Sequence, residues 1–242
     1  MRVNTPIPFF PRAGNYPCKE LSFKLCCLPV FLSIWEVEAQ SFQSPSAFTI
    51  ARIKYGGGGD WYGNKTTLKN LFEFMSDELK IGTTLNEKTT SLVDESFFNY
   101  PIAYISGHGN IKFNDNEVER LRTYLISGGF LFADDDYGMD QSFRREMKKV
   151  FPELNFVELP FTHPIYKIYY DFPNGLPKIH EHDGGPPRGY GLIYNGRLIV
   201  YYSFNTDISD GCEDPEIHND PPEKHISALR MGLNILLYSL LY

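Results

Sequence analysis

The sequence predicts an α/β domain built on a mostly parallel sheet, and three observations carry that expectation. Segments of strand character alternate with amphipathic helical segments from residue 47 onward. Two of the strand segments, YPIAYIS at residues 100–106 and FLFA at residues 130–133, are continuous apolar runs. Such runs mark strands buried on both faces. The segments after the early strands concentrate Gly, Asp, His and aromatic residues. That is the composition expected of loops at the carboxyl edge of such a sheet.

The elements follow in order. Residues 48–55 alternate apolar and polar and read as a strand, which the glycine run at 56–59 ends. Leu68, Leu71, Phe72, Met75 and Leu79 recur at helical spacing, with Thr66 or Thr67 as N-cap. Residues 88–93 form a weak strand, and 100–106 a central one. Asn114 with Glu117 three residues later forms a capping box. Val118, Leu121 and Leu125 make that helix's apolar stripe, and Gly128 stops it. After the strand at 130–133, Asp140 caps a helix carrying Phe143, Met147 and Val150, which Pro152 ends. Residues 155–159 have strand character. Residues 191–193 and 198–203 pair through Asn195-Gly196 as a type I′ hairpin. Asp220 then caps the last helix, with Pro221 at its first position and Glu223 in its first turn. Ile226, Leu229, Leu233, Leu236, Leu237 and Leu240 line that helix's core face, and Arg230 and Asn234 interrupt it, so it does not span a membrane.

Composition narrows the function classes. The 242 residues are 42% hydrophobic and 22% charged, an ordinary globular balance that excludes a disordered chain. A formal net charge of −7 excludes a basic nucleic-acid footprint. Three of the four cysteines, Cys18, Cys26 and Cys27, precede the domain. They flank or enter an apolar run, LCCLPVFLSIW at residues 25–35, that is too short to cross a bilayer. Lys19 and Lys24 lie before the run, and Val37-Glu38-Ala39 after it, the pattern of a secretory leader over residues 1–39. The alternative is a disordered tail ending in a buried strand. A leader assigns the domain to the periplasm or the exterior, with residues 40–46 as linker and 47–242 as one domain. Its removal takes away four basic and three acidic residues, shifts the net charge to −8, and leaves Cys212 as the lone thiol.

Parallel βαβ units place their strand-to-helix loops on one edge, and ligands bind there where the strand order reverses. In an order 2-1-3-4-5, that crevice lies between the first and third strands. Its lining is Tyr55, Gly57, Gly58, Gly59, Asp60 and Trp61 from the first loop, and Gly107, His108, Gly109 and Asn110 from the second. Asp134, Asp135 and Tyr137 come from the third. Residues 160–190 carry many Pro, Gly and His and form a long excursion over that edge.

Each motif has a functional reading and a plain one. Gly58, Gly63, Lys65 and Thr66 almost make a phosphate loop, but Asn64 intervenes and moves the amine off its phosphates. Neither a nucleotide nor a flavin is expected. The glycines otherwise serve a tight turn under a neighbouring loop. His108, between two glycines, is placed to act as acid, base or ligand, or to bond a loop carbonyl. Asp134, Asp135 and Asp136 repel one another unless a cation or donor sits among them. They also suit the dipole at a helix N-terminus. Asp60, His108 and Asp134 are the candidate metal ligands for a divalent ion. His108, Asp134 and His163 are the candidate catalytic groups, His163 as an acid. His180-x-His182 can chelate only on an extended segment, and no third ligand is evident nearby. Cys212 sits among acidic residues, a poor setting for a thiolate.

Five motifs in order, YGGGGDWYGNKTTLKNLFEF, YPIAYISGHGN, FNDNEVERLRTYLISGGFLFADDD, SFRREMKKVFP and LPFTHPIY, resemble domain-of-unknown-function family 4159 across about residues 47–242. The resemblance implies a flavodoxin-like, class I glutamine-amidotransferase-like fold. That fold is a three-layer sandwich with a mostly parallel central sheet, here followed by a C-terminal hairpin and helix. Some members look like periplasmic parts of larger cell-envelope proteins. An amidotransferase places a cysteine nucleophile just after a central strand, whereas here the strand runs into Asp134. The expectation is therefore an exported module binding a small polar ligand or an envelope partner, with a metal-assisted hydrolase as the alternative.

Overall fold

A computed structural model describes residues 48–81, 85–182 and 184–242. The expected leader (1–39) and linker (40–46) lie outside the described residues. Among the described residues the sheet has seven strands, in the order β2-β1-β3-β4-β7-β6-β5. They are β1 (Phe48–Ile53), β2 (Leu85–Thr90), β3 (Ile102–His108), β4 (Phe130–Tyr137), β5 (Val157–Glu158), β6 (Arg188–Tyr194) and β7 (Arg197–Phe204). The pairs β2·β1, β1·β3, β3·β4 and β4·β7 are parallel, and β7·β6 and β6·β5 are antiparallel. The sheet is mostly parallel, as the alternating pattern predicts.

Helices cover both faces. On one side lie α1 (Thr67–Leu79), α4 (Ile208–Gly211) and α6 (Pro222–Leu241), and on the other α2 (Asp115–Ile126) and α3 (Asp140–Val150). The split follows the strand period of two. Ile102, Tyr104, Phe130 and Phe132 pack with the first set, and Ala103, Ile105, Leu131 and Ala133 with the second. A short α5 (Pro215–His218) precedes α6. Gly232 of α6 has no side chain because Leu71 of α1 occupies the space, a Cβ there falling 2.8 Å from its Cδ1. Among the described residues no helix is long and apolar enough to cross a membrane.

Local signals explain several boundaries. The Asn114 side chain accepts from the Glu117 amide at 3.0 Å, and Glu117 accepts from the Asn114 amide at 2.8 Å, completing the predicted capping box. Asn195 and Gly196 both take positive φ, 49° and 81°, as a type I′ turn requires.

Other boundaries differ from the pattern. β2 begins three residues before the expected strand at 88–93. Its polar side chains face water, so hydrophobic alternation does not mark it. Asp140 is the first residue of α3, behind Met139, and Pro221 rather than Asp220 is the N-cap of α6. Thr66 precedes α1 but caps nothing, since its Oγ1 accepts from the Asp214 amide at 2.9 Å. Leu240 is exposed, so the core face of α6 stops one turn earlier than its leucine spacing implies. The largest difference is β4. It does not stop at Ala133 but runs on through Asp134, Asp135 and Asp136, all three buried. Acidic residues have low strand propensity, yet cross-strand partners override it here.

Arg52 is also buried, not a solvent-facing strand residue. Its guanidinium pairs with Glu87 of β2, donates to the Gly63 carbonyl at 3.1 Å and the Asn64 carbonyl at 2.9 Å, and lies over the Tyr104 ring. It thereby fixes the loop after β1 to the sheet. β1, β3, β4 and β7 are parallel, so the loops after Ile53, His108, Tyr137 and Phe204 share one edge.

Candidate functional site

At that edge the first two loops lock together through backbone. Gly59 donates to the Asn110 carbonyl at 3.0 Å, Asp60 donates to the His108 carbonyl at 3.3 Å, and Asn110 Nδ2 donates to the Gly57 carbonyl at 2.9 Å. A Cβ on Gly59 would sit 2.7 Å from the His108 oxygen. These glycines therefore serve close backbone approach. The Tyr55 hydroxyl donates to the Ser106 carbonyl at 3.1 Å beneath them. Gly107 has φ +134°, and a Cβ there would meet both the Tyr55 hydroxyl and Asp60.

The loops bring Asp60 and His108 together. Asp60 Oδ1 accepts from the His108 amide, and its Oδ2 lies 3.2 Å from His108 Nδ1. Both side chains are partly exposed, 35% and 48%. Trp61 packs edge-on against Tyr62 beside them. Asn110 accepts from Arg145 at 3.1 Å.

The three aspartates of β4 have separate fates. Asp134 accepts from the Ser203 hydroxyl and, at 2.6 Å, from the Ser209 amide. Burial pushes its carboxyl up to about 7. Asp135 accepts from the Met139 amide at 2.9 Å and the Tyr202 hydroxyl at 3.1 Å, and burial raises it to about 6. Asp136 is wholly buried, and among the described residues neither of its oxygens has a hydrogen-bond partner. Burial and then the carboxylates of Asp210, Asp134 and Asp207 push its pKa well above the ordinary range. Asp60 and His108 thus have one another, while Asp134 of the expected metal set is held by serines.

His163 lies elsewhere. Its Nδ1 accepts from the Ile165 amide, and its ring packs on Tyr238, which in turn packs on Phe130, the first residue of β4. That is the amino edge, opposite Asp60 and His108. Burial alone holds its pKa below the ordinary histidine value.

Sequence spacing missed a second group at the carboxyl edge. The excursion before β6 lays His180 and His182 over the segment after β7. His180 Nδ1 lies 3.1 Å from Asp207 and 3.5 Å from Asp210, and its Nε2 lies 3.2 Å from Asp220. His182 Nε2 meets Asp207 at 2.6 Å, and its ring packs on Tyr137, 4.8 Å between centroids. His218 Nε2 is 3.0 Å from Glu213 and 3.9 Å from Asp210. Hydrogen bonds to Asp207 and Asp210 push the His180 pKa up to about 10 despite its partial burial. The His180-x-His182 pair was visible in sequence. Its partners, Asp207, Asp210 and His218, come from beyond the hairpin, where local spacing carries no signal.

A recess of about 10 Å³ lies among Asp135, Asp136, Tyr137, His182 and Asp207. A cavity of about 430 Å³ lies away from this edge, beside α3, with Arg144, Lys148, Phe156 and Leu192 in its wall. Its cations are already engaged, Arg144 with Asp140 at 2.6 Å and Lys148 with the Leu154 carbonyl at 3.0 Å. Cys212 is fully buried, and desolvation, then Asp134, raises its thiol pKa well above the ordinary value.

A family model described as a domain of unknown function (DUF4159) matches residues 49–240. No curated protein matches the chain.

Proposed function

The chain belongs to the family described as a domain of unknown function (DUF4159), and on that footing we propose that it is an exported, glutamine-amidotransferase-like domain that binds a polar ligand or an envelope partner at its carboxyl edge. The order β2-β1-β3-β4 with β7 beside it supports the flavodoxin-like part of this reading. An amidotransferase carries its cysteine just after a central strand, whereas β4 runs through the buried Asp134 to Tyr137 with no cysteine in it, and the thiol of Cys212 is sealed in the core. Neither Asp134 nor Cys212 can serve as an exposed nucleophile.

The observation that carries the reading is the exposed Asp60–His108 pair at the junction of the first and third strand loops. It offers a carboxylate and an imidazole to solvent, held by a rigid glycine backbone. The recess at this edge, about 10 Å³, is too small for an organic molecule, so the occupant lies across the edge and not within it.

Asp60→Ala with His108→Ala tests this. Both side chains are partly exposed, so the double variant folds and its melting temperature changes by a few degrees at most. Captured material from envelope extract, identified by mass spectrometry against the wild-type profile, should be lost. An unchanged profile, or no export of the tagged full-length chain, counts against the proposal.

The alternative is a metal-assisted hydrolase, in which a bound metal supplies an activated water. The histidine and carboxylate cluster around His180 favours it. With Asp60, His108 and Asp134 as the ligands it requires Asp134 to leave Ser203 and Ser209.

A further inference from the structure

We infer that the carboxyl edge holds a divalent transition-metal site, formed by His180, His182 and His218 with Asp207 and Asp210, beside the unpartnered carboxylate of Asp136. Three independent features lead there.

The first is the donor set. Two overlapping triads, His180–Asp210–His218 and His180–His182–Asp207, each bring three ligand atoms within 4.8 Å of one another. The imidazole-to-carboxylate distances in them run from 2.6 to 3.9 Å. A tetrahedral ion with bonds of about 2.1 Å separates its ligands by about 3.4 Å. The distances in the two triads bracket that separation. A mixture of imidazole nitrogen and carboxylate oxygen suits zinc-like ions, whereas calcium and magnesium favour oxygen alone.

The second is the orientation of His180. Its Nε2 faces Asp220 at 3.2 Å, while its Nδ1 faces Asp207 and Asp210. A metal-binding histidine places its other N–H on a carboxylate, which fixes the ring and raises its basicity. Asp220 supplies that partner. Tyr137 packs on the His182 ring and so limits its rotation.

The third is Asp136. Both its oxygens are buried and without partners, and Asp210, Asp134 and Asp207 act on it electrostatically. A fully buried carboxylate without a partner is costly. The recess it lines with His182 and Asp207, about 10 Å³, holds roughly one water or one ion. A cation there compensates the carboxylates that the histidines leave uncompensated.

The site stands apart from the binding role of Asp60 and His108, and its test reads metal and not ligand capture. The full-length protein is purified without chelator, and its metals are measured by plasma mass spectrometry. Melting temperature is then followed after EDTA treatment and on adding zinc, manganese or magnesium. About one equivalent of transition metal per chain is expected, with a reversible rise in melting temperature on zinc and little on magnesium. His182→Ala and His218→Ala, at half-exposed positions that need not disturb folding, should each weaken zinc affinity tenfold or more. Asp136→Asn takes the unpartnered carboxyl out of the recess, so its zinc-induced rise in melting temperature should be smaller than that of wild type. Trace metal together with no zinc-induced rise overturns the site. So does wild-type zinc affinity in His182→Ala and His218→Ala, which puts any bound metal elsewhere.

Discussion

Asn64 donates its side-chain amide to Asp210 at 2.8 Å, joining the loop after β1 to the segment after β7, 146 residues later. Asn64 holds φ at +51°, its own carbonyl accepts from Arg52, and it is buried. One residue therefore joins a sheet arginine, a left-handed turn and a carboxylate of the histidine cluster.

Substitution at Asn64 separates those roles. Asn64→Gly keeps the turn and loses the hydrogen bond, at a cost of about 1–3 kcal/mol. Asn64→Asp keeps the shape but sets a second carboxylate against Asp210, so it should cost more than Asn64→Gly at neutral pH. Urea unfolding of both variants checks the ranking, and the reverse order contradicts the account of Asp210 as an anion.

Glu146 sets an acid limit. Burial raises its carboxyl, but Lys149 at 2.5 Å, the Phe113 amide at 2.9 Å and Arg145 at 2.8 Å outweigh burial and hold it below the ordinary range. A depressed native pKa stabilises the fold above the unfolded glutamate value of about 4.3, and that stability is lost as pH falls through the native value. Glu146→Gln should thus cost about 1–3 kcal/mol at pH 7 and progressively less as the medium is acidified below the ordinary glutamate range. Denaturation curves at pH 7 and pH 3 measure the convergence. A gap that is equal at both pH values means Glu146 works through shape and not charge.

Cys212 should be inert. Its thiol is buried and its pKa raised, so thiolate is scarce and reagents cannot reach it. Iodoacetamide treatment of native protein followed by peptide mapping should leave Cys212 unmodified, while the urea-unfolded chain is labelled there. Fast labelling in the native state contradicts the burial.

Much of the scaffold could be read from the sequence because its signals are local. The capping box at Asn114 and Glu117 and the turn at Asn195-Gly196 need only three or four residues each. The continuous apolar runs marked β3 and the first half of β4. The second half of β4 was not legible. Three consecutive aspartates read as a loop, and the groups that draw Asp134 and Asp135 into the sheet, Ser203, Ser209 and Tyr202, lie far along the chain. The same distance hid the partners of His180 and His182. Asp60 and His108 were each named from their own loop, and the structure brings them into contact. His163 stood in an equally conspicuous motif, yet β-sheet topology sends it to the opposite edge, a direction that no local pattern records.

The two outer strands bear on how the molecule behaves among its own copies. β2 closes one side of the sheet with the polar run LNEKTT, and β5 closes the other with two residues, beside the Arg188–Glu158 pair. An unpaired strand edge is a template for recruiting another chain, and charge or shortness blunts it. Here one margin is charged and the other almost too short to pair. Among the described residues, charge on one margin and shortness on the other both discourage another chain from adding a strand to this sheet.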